Sequence, residues 1–73
     1  MLSFAIREDK SIQICCDAQG ISILLVALSK LVGERASHCH LRGPSAGGKD
    51  LTETNPWNEA AVSSVLIEYA EGD

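Results

Sequence analysis

The sequence predicts an α+β fold: one helix packed on a four-stranded, mainly antiparallel sheet, in the order β-β-α-β-β. Three observations predict it. Short runs near both ends alternate apolar and polar residues, the period of a half-buried strand. A single longer stretch repeats apolar residues at helical spacing. Between these elements lie clusters of residues that bend the chain, Glu8-Asp9-Lys10 and Gly43 to Gly48. A sheet with one apolar face must cover that face, and with one helix available the economical arrangement has two layers.

Leu2, Phe4 and Ile6 alternate with Ser3, Ala5 and Arg7, and Ile12 and Ile14 alternate with Ser11, Gln13 and Cys15. The polar turn Glu8-Asp9-Lys10 joins the two runs as a hairpin. Asp17 follows as a helix N-cap, since its carboxylate can accept from an unpaired amide of the first turn and suits the positive end of the helix dipole. Ile21, Leu24, Leu25, Leu28, Leu31 and Val32 then form an apolar stripe that Ile23, Val26 and Ala27 widen. So broad a stripe predicts a well-covered helix over Ala18 to Val32. Gly20 weakens the first turn by about 1 kcal/mol relative to Ala, and Gly33 ends the helix because it tolerates the left-handed conformation.

His38 to Arg42 reads as a third strand, with Cys39 and Leu41 on one face and His38, His40 and Arg42 on the other. Leu51-Thr52-Glu53 makes a short extended piece and Asn55-Pro56 a turn. Val62 to Tyr69 is the last strand, with Val65, Ile67 and Tyr69 on one side and Ser64, Leu66 and Glu68 on the other. The tail Glu71-Gly72-Asp73 reads as frayed. Neither repeat nor boundary interrupts the chain, so residues 1–73 form a single α+β domain. The face carrying His38, His40, Arg42, Leu66 and Glu68 is left open for another chain.

With 73 residues the chain can build only a thin core. Such cores rarely supply more than roughly 3–5 kcal/mol and usually need a staple. Disulfides fit poorly: there are three cysteines, two of them adjacent, an arrangement that points to a reducing compartment. No signal-peptide pattern opens the sequence and no apolar run is long enough to span a bilayer, so the expectation is a cytoplasmic protein without a membrane role. The net charge is −4, and the six Lys and Arg are scattered. That disfavours nucleic acid, which requires clustered cations, and suits a basic protein partner.

Four groups of residues could carry chemistry. His38 and His40 share a strand face and could ligate a metal, but a structural zinc needs four ligands, a catalytic one at least three, and Cys39 faces away. The expectation is therefore no metal and no cofactor, with a small metal- or thiol-site protein using His38, His40 and a cysteine as a lesser reading. Cys15, Cys16 and Cys39 read as small apolar core residues. Gly43 to Gly48 followed by Lys49 has the glycine spacing of a phosphate loop, but Asp50 stands where Ser or Thr should hold magnesium. Gly47-Gly48 fits better as a turn with positive φ. Trp57, the only tryptophan, lies in a polar loop with Glu59 and near Glu53, where it can act as a binding anchor.

The strand His38-Cys39-His40-Leu41, the turn Gly47-Gly48-Lys49-Asp50-Leu51-Thr52 and the closing strand Val65-Leu66-Ile67-Glu68-Tyr69 together resemble a small bacterial immunity-protein family of polymorphic toxin systems, immunity protein family 32. Ala46 stands where the family pattern has an aromatic residue before the paired glycines. The resemblance implies an α+β cytoplasmic protein that binds and blocks a cognate toxin, and it carries over no catalytic residues. Combined with the absence of a catalytic set, these readings predict a non-enzymatic protein-binding module. Its partner would be a basic toxin domain, contacted through Trp57, Glu53, Glu59, His38 and His40. A self-associating homodimer is the second reading, because dimer burial would supply stability that a thin core lacks.

Overall fold

The computed structural model describes residues 1–33 and 37–70; the expectation for the tail Glu71–Asp73 lies outside them. The elements are β1 (Leu2–Ile6), β2 (Ile12–Cys16), α1 (Ala18–Gly33), β3 (His38–Arg42), a single 3₁₀ turn over Pro44–Ala46, and β4 (Ser64–Glu68). The β-β-α-β-β order and the α+β class match the sequence reading. The single four-stranded sheet does not. β1 pairs with β2 and β3 with β4, each pair antiparallel, as two separate two-stranded sheets.

The physical reason lies at the free edge of β1. Its outward carbonyls, on Leu2 and Phe4, accept from the amides of Thr52 and Val62, each at 2.8 Å. The irregular segment 51–63 therefore occupies the edge that a third strand would need. The same segment ties to the second sheet, where the Leu51 amide donates to Arg42 O and the Gly43 amide to Ser63 O. Isolated backbone bonds, rather than a ladder, join the two sheets.

The hairpin turn forms where the polar run placed it. The Lys10 amide donates to Arg7 O and the Arg7 amide to Ser11 O, with Lys10 at φ 70°. The helix start also follows the sequence: Asp17 Oδ1 accepts from the Gly20 amide at 2.8 Å and pairs with the Met1 ammonium. These donors, the ammonium first and the Gly20 amide second, hold the Asp17 carboxyl below its usual range. Gly20 has a different role from the helix-weakening one its type suggests. A Cβ there would lie 1.8 Å from the Met1 carbonyl oxygen, so the glycine lets β1 approach the helix.

The core is small. Leu2, Ala27, Leu41 and Leu51 form its buried centre, with Phe4, Ile23, Leu24, Cys39, Val62, Val65 and Ile67 packed around them. The expectation of a well-covered helix fails here. Ala27 and Leu31 are buried, but Ile21, Leu25, Val26, Leu28 and Val32 are exposed. Two narrow two-stranded sheets offer too little surface to cover so wide a stripe. Ile6, Ile12 and Ile14 are exposed as well. No helix among the described residues is long and apolar enough to cross a membrane.

Candidate functional site

Trp57 stands on a loop organised by one buried side chain, Asn55, which is only 5% exposed. Asn55 Oδ1 accepts from the backbone amides of Trp57 (3.0 Å) and Glu59 (2.9 Å). Its Nδ2 donates to Glu59 Oε1 (2.8 Å) and to Gln13 Oε1 on β2 (3.3 Å). Backbone bonds from the Asn55 amide to Glu59 O and from the Asn58 amide to Asn55 O close the turn, with Asn58 at φ 62°. An Asn side chain that bonds the backbone two residues on is a known turn former, and Asn tolerates the left-handed region. Trp57 is thereby presented at 67% exposure from a loop whose amides are satisfied. An antiparallel bridge between Thr54 and Ala60 fixes the loop's base.

Glu59, expected at a partner surface, is exposed but also part of this scaffold through its bond to Asn55. Glu53 is half-buried and holds the 3₁₀ turn: the Ser45 hydroxyl donates to Oε1 (2.6 Å) and the Ser45 amide to Oε2 (2.7 Å). Those two donors, the hydroxyl first, keep the Glu53 carboxyl below its usual range. Both oxygens are thus engaged within the chain. Glu53 serves the loop architecture, a role that its residue type alone did not indicate.

His38 and His40 project together from β3, with ring centroids 5.2 Å apart at 85°, edge to face. His38 Nδ1 lies 3.1 Å from Ser37 Oγ. Across the ladder they pair with Glu68 and Leu66, and all four are exposed. The open face expected from the alternation is present on this sheet. On the first hairpin the corresponding face is covered by the chain itself: Ser3 and Ala5 are buried and Gln13 binds Asn55. Cys39 turns inward, its thiol 3.8 Å from Ala27 O. Among the described residues no group of three His, Cys, Asp or Glu side chains is placed to hold a metal ion. Cys15, Cys16 and Cys39 are free thiols; Cys15 and Cys39 are half-buried, whereas Cys16 is exposed rather than a core filler.

The phosphate-loop spacing is a turn. Gly47 has φ 84° and follows the Pro44–Ala46 turn, with no longer helix after it. Gly48 permits close approach instead, since a Cβ there would lie 2.5 Å from Arg42 Cβ.

Two site features escaped the sequence reading. Asn55 is the keystone of the Trp57 loop; its signal was an Asn-Pro turn with a hydrogen-bonding Glu four residues on. The other is a cleft of about 540 Å³ between the hairpin turn and this loop, lined by Arg7, Glu8, Asp9, Gln13, Asn55 and Glu59. Its walls are polar and mixed in charge, and its chemistry gives no nucleophile paired with a base. No protein family model, curated protein or solved structure matches the chain.

Proposed function

We propose that this chain is a non-enzymatic protein-binding module that holds a basic protein partner, with Trp57 as its anchor. The observation that carries the reading is the Trp57 loop. A large aromatic side chain is left two-thirds exposed while a buried asparagine holds the backbone beneath it. Tryptophan is enriched among the few residues that dominate interface energies. A fixed loop lowers the ordering cost of binding. The net charge of −4 supports a partner of opposite sign, with Glu59 beside the anchor. The exposed His38, His40, Leu66 and Glu68 face offers a second contact area of mixed polarity.

Within this reading the sequence resemblance makes the partner a toxin domain and the module its cytoplasmic inhibitor. The test is co-expression with the product of the adjacent gene. The proposal expects the wild-type chain to protect cells from that product and to co-purify with it, and Trp57→Ala to lose both while folding normally. An adjacent product that is harmless and does not bind contradicts the toxin assignment. Full protection by Trp57→Ala contradicts the anchor.

A further inference from the structure

Ile21, Leu25, Leu28 and Val32 recur at steps of four, three and four residues along α1. At 100° per residue they fall on one flank of the helix, the narrow seam typical of paired helices. All four are exposed, Leu25 at 57% and Val32 at 75%. The opposite flank, with Ile23, Val26 and Lys30, faces β3 across a cleft that His40 and Asp50 also line. The seam therefore looks away from β3, toward the β1–β2 hairpin. The face that this hairpin turns to the helix, through Leu2 and Phe4, continues by register into Ile14, Ile6 and Ile12. Those three isoleucines are exposed too.

We infer that helix seam and hairpin row meet as one apolar corner and that a second copy of this chain covers it, with the two helices antiparallel about a two-fold axis between Leu25 and Leu28. Three observations select that occupant. The seam is self-complementary, because its spacing reads the same in both directions. An antiparallel pair sets Ile21 against the partner subunit's Val32, and Leu25 against the partner subunit's Leu28. It also opposes the two helix dipoles. An isologous contact of this kind closes a dimer without leaving a growing edge.

Charge is the second observation. Lys30 is the one charged residue from Ala18 to Gly33, and it lies on the other flank. An exposed helix of a protein with ten acidic residues has none on this seam, the depletion expected at an interface core.

Area is the third. The seven aliphatic residues leave on the order of 700 Å² exposed, against roughly 800 Å² per partner in a standard interface. The whole chain exposes 5356 Å², about a fifth more than the ~4,400 Å² expected of a folded monomer of its mass.

The experiment is sedimentation equilibrium of the full chain from 1 to 200 µM, alongside Leu25→Glu and Val26→Glu. Both positions are similarly exposed, so neither change disturbs the buried core, and circular dichroism verifies folding. The inference expects a wild-type dimer and a melting temperature that rises with concentration. It expects Leu25→Glu to weaken dimerisation at least 100-fold and Val26→Glu to change it less than threefold. A wild-type monomer throughout, or dimers equally sensitive to both changes, would overturn it. Leu25 and Val26 lie on α1 and not on the Trp57 loop, so the result stands whether or not the proposed partner is found.

Discussion

Gly20→Ala separates two opposite expectations. By helix propensity alone the change should stabilise α1 by about 1 kcal/mol. In the structure the added methyl would sit 1.8 Å from Met1 O, 2.7 Å from Met1 C and 3.1 Å from Cys16 Cβ. The closest contact is backbone, so relief requires the start of β1 to move by more than an ångström. Met1 O accepts from the Asp17 amide at 3.1 Å and the Met1 ammonium pairs with Asp17, so both are disturbed. Leu2, the next residue, is fully buried in the core centre. Overpacking of this kind costs typically 1–3 kcal/mol, and the lost amide bond about 1 kcal/mol more. Set against the propensity gain, the net expectation is a destabilisation of about 1–3 kcal/mol. Urea unfolding at one fixed protein concentration reads it as a lower midpoint with an unchanged slope. A higher midpoint for the alanine variant would refute the claim that Gly20 exists to admit β1.

The remaining expectations concern the turns and the carboxylates. Lys10→Gly should raise stability by roughly 0.5–1 kcal/mol, because Lys10 occupies the left-handed region in an exposed turn; a lower urea midpoint would contradict that conformation. Asn55→Ala should cost about 2–3 kcal/mol by orphaning the Trp57 and Glu59 amides. It should also lower Trp57 fluorescence anisotropy, whereas unchanged anisotropy would show that Asn55 does not order the loop. The carboxyls of Asp9, Asp17 and Glu53 are all lowered by hydrogen-bond donors or a cation. Their contribution is present above the ordinary carboxylate pKa of about 4 and is lost as pH falls through the lowered folded values. The melting temperature should therefore hold from pH 7 to 5 and drop below about pH 4, and less steeply in Asp17→Asn; a flat profile to pH 2 would count against these bonds.

The legible parts of the fold were those with a period. Leu2-Phe4-Ile6 and the His38–Arg42 strand with its inward Cys39 and Leu41 stand where alternation placed them, and the closing strand forms within Val62 to Tyr69 but spans only Ser64–Glu68, with Tyr69 beyond its end and exposed. The Asp17 cap and the turns at Lys10 and Gly47 also stand at their expected places. The four-stranded sheet was not legible, because the segment that splits it, 51–63, has no alternation. It bonds β1 through the single amides of Thr52 and Val62. Helical periodicity found the apolar residues of α1 but could not say which flank would be roofed. Leu31 and Val32 are adjacent in the stripe, yet one is buried and the other exposed. Around the site, Trp57 and the two histidines were named from residue type and exposure rules. Asn55 and the structural duty of Glu53 depend on contacts across the fold that no local pattern encodes.

The chain contains one tryptophan, so its emission reports directly on the proposed anchor. Titrating the purified chain with the purified adjacent-gene product should shift Trp57 emission to the blue, provided that the added protein is tryptophan-free or labelled with a distinguishable analogue. A complex that forms while the Trp57 spectrum stays that of a water-exposed indole would contradict the account.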